Sequence, residues 1–272
     1  MELLGLIRDA AEAAVRAVKT GLDHAADRTG TENPFGDKTL VIDKEAEAAV
    51  VEVIQSSSTP MRIMSEELGV QEPEERAEYI AIVDPIDGSA NIERGIPLCS
   101  VGIALVPAVE KPFMHDVEMS VIKSFFTDET YVAISGRGVT KNGKRVAVAP
   151  EVPASEAIIS YDTKKSWDPE FGNASHRTLG GVRDMRRTGS NLLDLCWTAA
   201  GSLDAMVDLR NMLPVVHVMG THMVTEAGGV VIGQDGRPLD FPIDIRYRMS
   251  FVAASSQRLA RELLGLFIGT DR

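Results

Sequence analysis

The chain has 272 residues, of which 44% are hydrophobic and 25% charged, ordinary proportions for a globular protein with a substantial core. Its formal net charge of -12 argues against a surface for nucleic acid or anionic membrane. Cys99 and Cys196 lie in apolar stretches without metal-ligand spacing, which predicts buried thiols in a reducing compartment. No apolar run approaches the roughly 20 residues that span a bilayer, and the N-terminus lacks a basic signal region, so we expect a cytoplasmic protein.

The first part of the chain is predicted to form two helices and then a buried strand. Apolar positions at helical spacing run through about the first 28 residues. Gly, Pro, Asn and Asp are concentrated from Thr29 to Lys38, which indicates a loop, and helical spacing returns from Asp43 to Ile54. The run Tyr79–Val83 is short and rich in β-branched residues, so it predicts a strand that ends at the turn Asp84-Pro-Ile-Asp-Gly88.

The rest of the chain predicts more strands and then an alternation of strands and helices. Strands are predicted at 101–106, 117–122 and 131–134, with a hairpin turn at Lys141-Asn-Gly143. After about residue 155 we predict strands at 157–160, 184–187, 205–208, 230–232 and 250–254, and helices around 173–179, at 190–200, before Glu226 and at 257–267. This order indicates layers of helices and sheets in one α/β unit with two subdomains, residues 1–150 and 151–272.

Two short acidic segments are candidates for a metal site: Met64-Ser-Glu-Glu-Leu-Gly69 and Asp84-Pro-Ile-Asp-Gly-Ser-Ala-Asn91. A proline beside Asp84 at a strand end, with Asp87 three residues later, makes a tight turn that can direct both carboxylates into one cavity. Hard carboxylate and carbonyl oxygens select Mg²⁺ over metals that prefer softer ligands. Taken alone, each segment is explained more simply as a solvated acidic pair or an ordinary turn.

Together with a third segment, these motifs resemble the inositol monophosphatase superfamily. That family carries a Glu-Glu motif, then Asp-Pro-(Ile/Leu)-Asp-Gly-(Thr/Ser), then a late (Trp/Val)-Asp…Glu-Ala-Gly-Gly segment. The chain matches these at Glu66-Glu67, at Asp84–Ser89 and, in part, at Glu226–Gly229, in the same order. The resemblance implies an αβαβα sandwich, a homodimer and a small phosphorylated substrate.

The resemblance also implies a set of metal ligands. Glu66 and Asp84, with the main-chain carbonyl of Ile86, would hold one Mg²⁺, and Asp84 would bridge to a second ion that Asp87 also binds. Glu66 would share a third, weaker ion, and Mn²⁺ is expected to substitute in part. One ion would lower the pKa of a water molecule, and the ions together would neutralise the phosphate.

Catalytic and substrate-binding roles follow from the same match. Ser89, polarised by Asp43, would hydrogen-bond the attacking water, which Glu66 helps to orient. The amides of Gly88 and Ser89 can open a helix N-terminus that binds an anion. Arg210 would contact substrate hydroxyls or a second phosphate, although a surface arginine at a strand end explains it equally well. Arg186 and Arg187 are predicted to be solvated.

One ligand of the family pattern is missing. The family has an aspartate about ten residues before the Glu of Glu-Ala-Gly-Gly, but the stretch from Leu213 to Thr225 contains none. Alignment without gaps places Val216 there, whereas alignment on the preceding Val-Val places His217, which we take as the candidate ligand. Imidazole suits Zn²⁺ or Mn²⁺ better than Mg²⁺. His222 lies five residues on, so on a helix it would not share a face with His217.

We therefore expect a Mg²⁺-dependent phosphomonoesterase for a small polyol or sugar phosphate, such as inositol 1-phosphate or fructose 1,6-bisphosphate. Two alternatives stay open. The first is a phosphatase of 3′-phosphoadenosine phosphate or NADP. The second is a protein that binds a phosphorylated ligand but has lost catalysis together with the missing aspartate.

Overall fold

The computed structural model describes residues 2–34, 36, 38–165 and 167–270, which form seven α-helices and 15 strands. The helices are α1 Glu2–Gly21, α2 Val41–Gln55, α3 Ser89–Glu93, α4 Pro169–Gly180, α5 Asn191–Ala199, α6 Val218–Glu226 and α7 Gln257–Ile268. The strands are β1 Arg28–Glu32, β2 Lys38–Leu40, β3 Met61–Ser65, β4 Gly69–Gln71, β5 Tyr79–Asp87, β6 Ser100–Pro107, β7 Met119–Ser124, β8 Thr130–Ile134, β9 Gly138–Lys141, β10 Lys144–Val146, β11 Ile158–Tyr161, β12 Asp184–Met185, β13 Ala205–Pro214, β14 Val230–Gly233 and β15 Arg248–Ala254.

An eight-stranded sheet in the order β10-β9-β8-β7-β6-β5-β3-β4 is buried on both faces. Successive side chains of a strand point to opposite faces. In β5, Ala81 and Val83 therefore pack in the cluster formed with α1 and α2, and Ile80 and Ile82 pack towards α5 and α6. Burial on both faces explains why the run Tyr79–Val83 is apolar without alternation.

A five-stranded sheet in the order β12-β11-β13-β15-β14 covers the other side of α5 and α6. Its Met206 and Phe251 share the cluster of these two helices, whereas Val207 and Val252 pack with α4 and α7. The layers are α1/α2, the first sheet, α5/α6, the second sheet and α4/α7. This is the predicted αβαβα sandwich.

Several predicted boundaries were wrong. Helix α1 ends at Gly21 instead of residue 28. A Cβ at Gly21 would lie 2.9 Å from the Glu45 carboxylate of α2. The predicted loop from Thr29 to Lys38 contains most of β1 and the first residue of β2, with Phe35 and Asp37 outside the described residues. Strand β7 begins at Met119 because a 3₁₀ turn occupies 114–116.

The hairpin prediction was confirmed, because Asn142 and Gly143 have φ values of 50° and 76° between β9 and β10. None of the described helices is long and apolar enough to cross a membrane.

Candidate metal and phosphate site

Glu66 and Asp84 meet because they follow paired residues of two parallel strands. Ser65 of β3 pairs with Val83 of β5, so the next residue of each strand reaches the same edge of the sheet. The Glu66 backbone N–H donates to the Val83 carbonyl at 3.2 Å, which continues the ladder to this point. The carboxyl ends of parallel strands are the usual place for ligands in such sheets.

A β-bulge brings Asp87 to the same side as Asp84. Asp84 pairs with Gly102 of β6 and Asp87 pairs with Ser100. Between these two pairs β5 therefore has one residue more than β6. In a regular strand, residues three apart point to opposite faces, and the extra residue cancels that reversal. Pro85 lies inside the bulge, where its missing N–H removes no ladder bond. The spacing Asp-Pro-Ile-Asp is thus what this geometry requires.

Asp84 is a buried carboxylate without a hydrogen-bond donor. It is 0% exposed, and neither of its oxygens has a hydrogen-bond partner among the described residues. The His217 Nε2 atom lies 3.3 Å from Asp84 Oδ2 and 3.4 Å from Asp87 Oδ1. Ligand atoms of these three residues fall within 4.8 Å of one another. A buried carboxylate without donors is costly unless a cation is near, so this donor set fits a divalent ion.

The buried charges of the cluster shift one another's pKa values. Burial, together with the negative charges of Glu66 and Asp87, raises the pKa of Asp84 well above its ordinary value. Desolvation also raises the pKa of Glu66 to about 7. Burial would raise the pKa of Asp87, but His217 and the Ser190 hydrogen bond lower it below its usual value. For His217, burial would lower the pKa, but Asp87 and Glu66 outweigh it and raise the pKa.

The N-terminus of α5 holds Asp87 in place. The Leu192 backbone N–H donates to Asp87 Oδ2 at 2.6 Å, and the Ser190 hydroxyl donates to the same oxygen. The first N–H groups of a helix lack partners inside it and favour a negative charge. Helix α5 thus fixes the Asp87 carboxylate while its other oxygen faces His217.

Ser89 and Asp43 form the predicted pair. The Ser89 Oγ atom lies 3.0 Å from Asp43 Oδ1 and 3.1 Å from the Ile86 carbonyl, so its single proton goes to one of them. The Leu40 N–H donates to the other Asp43 oxygen at 2.9 Å, and burial raises the pKa of Asp43 to about 7. Gly88 precedes α3 with φ 102°, and a Cβ there would lie 3.1 Å from the Leu98 carbonyl.

A cavity of about 690 Å³ brings the predicted residues together. Eight of the nine line it: Asp43, Glu66, Ile86, Asp87, Gly88, Ser89, Arg210 and His217. Asp84 is the ninth and lies in contact with His217. Val216, which the alignment without gaps places at the missing aspartate, is fully buried in the apolar cluster of α5 and α6.

Arg210 and Arg187 belong to one buried ion network, which contradicts a surface position for either. Arg210 is 5% exposed, and its Nη2 lies 2.6 Å from Asp208 Oδ2 and 2.9 Å from Asp162 Oδ2. Arg187 contacts Asp194 at 2.7 Å and the same Asp162 oxygen at 2.8 Å. The prediction that Arg187 is solvated was wrong because three carboxylates from separate elements converge on these two guanidinium groups.

Two further residues escaped the sequence analysis. Glu47 is 1% exposed and accepts from the N–H groups of Glu67 at 3.2 Å and Leu68 at 3.1 Å, so it fixes the turn that carries Glu66. Asp162 follows β11 and lines the cavity. A signal existed for Glu47, because it lies four residues after Asp43 on the same face of the predicted helix. No comparable signal existed for Asp162.

Comparisons with known proteins agree with this architecture. Residues 2–267 match the sequence profile of the inositol monophosphatase family. The fructose-1,6-bisphosphatase/inositol-1-monophosphatase of Methanothermobacter thermautotrophicus is 32% identical over 239 residues, which cover 84% of this chain and 83% of that protein. The Nus factor SuhB of Vibrio cholerae is 29% identical over 266 residues, 96% of this chain and 94% of that protein. The solved structure of the extragenic suppressor protein suhB from Bartonella henselae has the same fold, with a TM-score of 0.84 at 23% identity over 98% of both chains.

Proposed function

As this chain belongs to the inositol monophosphatase family and is a phosphatase of that class, we propose that it hydrolyses small polyol or sugar phosphate monoesters with bound Mg²⁺. The observation that carries the proposal is the buried cluster of Asp84, Asp87 and His217 beside a cavity lined by Glu66 and Ser89. The fructose-1,6-bisphosphatase/inositol-1-monophosphatase relative supports the substrate class. We further expect a homodimer, as the resemblance implies, and a cytoplasmic location.

The metal ligands would be Glu66, Asp84, Asp87 and the Ile86 carbonyl, with His217 in place of the missing aspartate. When bound, divalent cations lower the pKa of a water molecule and neutralise charge on the phosphate. Because an imidazole stands where the family pattern has a carboxylate, the second site should bind Mg²⁺ weakly and accept Mn²⁺. We therefore expect activity to require Mg²⁺ in the millimolar range.

The side chains around the cavity would position the attacking water. If the Ser89 hydroxyl donates its proton to Asp43, 3.0 Å away, its lone pairs can accept a hydrogen bond from that water. The Leu40 N–H fixes the orientation of Asp43. Glu66, at the edge of the same sheet, would accept from the second hydrogen of the water. Positioning of this kind supplies much of the acceleration in phosphoryl transfer.

A phosphate-release assay tests the proposal. The substrates are inositol 1-phosphate, fructose 1,6-bisphosphate, 3′-phosphoadenosine phosphate and NADP, each titrated with Mg²⁺ and with Mn²⁺. We expect release from the first two, and loss of release in chelator. Preference for the nucleotides would favour the nucleotide phosphatase alternative. No release from any substrate, with phosphate binding retained, would favour the binding protein.

A further inference from the structure

The second half of the chain contributes a pair of carboxylates beside the cavity, of which Asp162 lines it. β11 and β13 are parallel, with Tyr161 paired to Val207, so Asp162 at the end of β11 and Asp208 inside β13 follow paired residues. The Asp162 N–H donates to the Val207 carbonyl at 3.1 Å. Both aspartates contact Arg210, whose side chain lines the same cavity as Asp87 and Ser89.

Asp162 is shared between two guanidinium groups. Its Oδ2 atom lies 2.8 Å from Arg187 Nη2 and 2.9 Å from Arg210 Nη2. Each arginine also has a carboxylate of its own. Arg187 binds Asp194 at 2.7 Å, and Arg210 binds Asp208 through two nitrogens at 2.9 and 2.6 Å. Asp162 is therefore the carboxylate in excess.

This excess determines the charge of the network. Three carboxylates face two guanidinium groups, so the network carries one net negative charge. Its side chains are largely buried, with Asp162 8% and Arg210 5% exposed, so salt screens the charge less than at the surface. At this network a second phosphate would meet two guanidinium groups that are already paired with carboxylates, although Arg28, Lys38, Lys164 and Arg248 also line the cavity. A hydroxyl group could still donate to carboxylate oxygens at little electrostatic cost.

We infer that Asp162 is a specificity-determining residue, which makes this part of the cavity favour uncharged hydroxyl groups and disfavour a second phosphate. The inference rests on the proposed function, because it assigns the non-phosphate part of the substrate to this network. It ranks the proposed substrates, with monophosphates of polyols and sugars preferred over bisphosphates.

The test compares two substrates that differ only in the second phosphate, fructose 1-phosphate and fructose 1,6-bisphosphate. The wild-type protein is expected to have the higher kcat/KM for the monophosphate. In Asp162→Asn the ratio of kcat/KM for the bisphosphate to that for the monophosphate should rise about tenfold, equivalent to about 1.4 kcal/mol. The gain should fall mainly on KM of the bisphosphate, because the excess negative charge is removed and the guanidinium N–H groups that bound Asp162 become available to a second phosphate.

Two further variants connect the effect to the network. Adding Arg210→Gln to Asp162→Asn should return the ratio towards the wild-type value, because the gain requires the released guanidinium group. Asp168→Asn is the matched control: it removes one charge six residues away, outside the cavity lining, and asparagine still caps α4. Its ratio should stay within twofold of wild type. Asp162→Ser removes the same charge with a different side chain, and thermal unfolding checks the fold of every variant.

The outcomes distinguish a failure of the inference from a failure of the proposed function. If the wild type hydrolyses the monophosphate but folded Asp162→Asn and Asp162→Ser leave the ratio unchanged, the inference fails and the proposed function stands. A wild-type preference for the bisphosphate also overturns the inference. If the wild type releases phosphate from neither substrate nor from inositol 1-phosphate, the proposed function fails and the inference fails with it.

Discussion

At Asp84, a buried carboxylate without a hydrogen-bond donor has opposite consequences for activity and for stability. Asp84→Asn should abolish turnover and weaken metal binding, because Asp84 would be a charged ligand of the bound cations. In chelator, the same change should raise the free energy of unfolding at pH 8 by about 1 kcal/mol, because it relieves repulsion among buried carboxylates. Phosphate release and urea unfolding measure the two effects. Activity within about threefold of wild type, a change of only ~0.7 kcal/mol in the activation free energy, would contradict the role of Asp84 as a metal ligand.

His217 allows a test of the missing carboxylate. His217→Asp should lower the Mg²⁺ concentration for half-maximal binding about tenfold, or about 1.4 kcal/mol, because an anionic ligand then contacts the cation. Val216→Asp is the matched control, since Val216 is fully buried among apolar side chains, where an unpaired charge mainly destabilises the fold. Calorimetric Mg²⁺ titration distinguishes the two. Equal Mg²⁺ affinity of wild type and His217→Asp would remove His217 from the metal site.

At the level of the elements, Ser190 joins a helix cap to the site. Its hydroxyl donates to Asp87, and its oxygen accepts from the Leu193 N–H at 3.2 Å. Ser190→Ala should cost about 1–2 kcal/mol of stability and reduce activity at least tenfold. Ser256→Ala removes the equivalent cap of α7, where the Ser256 hydroxyl oxygen accepts from the Leu259 N–H at 3.1 Å. This cap lies outside the cavity lining. It should lower stability without changing kcat/KM, and equal activity losses in both variants would refute the special role of Ser190.

Elements were predictable where one physical requirement dominates the local sequence. The apolar run of β5 and the Asn142-Gly143 turn were found because burial on both faces and positive φ each restrict the allowed residues. β1 was missed because four of its five residues are exposed, so no hydrophobic pattern marks it. The candidate metal ligands Asp84 and Asp87 were predicted through a motif whose spacing the β-bulge of β5 requires.

The ion network shows what sequence patterns leave out. Asp162 follows β11, Asp194 lies in α5 and Asp208 lies in β13, and each alone resembles an ordinary polar position at the end of a strand or in a helix. Only the parallel pairing of β11 with β13 brings Asp162 to Arg210. Local periodicity carries no information about such pairing, which explains why Arg187 was expected to be solvated.

For the molecule as a whole, the site should make stability depend on pH and on metal. Burial raises the pKa values of Asp43 and Glu66 to about 7, so the folded state holds protons that an unfolded chain, with carboxyl pKa values near 4, has released. Stability then falls as pH rises through this interval. The raised pKa of His217 acts in the same direction, because its contribution is lost at high pH.

We therefore expect the Tm in chelator to fall from pH 5 to pH 8, and saturating Mg²⁺ to weaken this trend by neutralising the carboxylates. Calorimetric scans at pH 5, 6.5 and 8 measure both. Asp43→Asn should make the slope in chelator shallower. A Tm in chelator that rises over this interval would contradict the raised pKa values.

The arrangement of the central helices has a consequence for the order in which the protein is made. Asp87 is synthesised 105 residues before Leu192 and 130 residues before His217, which later hold or face it. A nascent chain therefore presents its repelling carboxylates long before α5 and α6 exist. The same two helices cover the inner face of the first sheet. An emerging N-terminal half thus has an uncovered apolar face and an unbalanced acidic edge, so we expect its sheet to become stable only after α6 has left the ribosome.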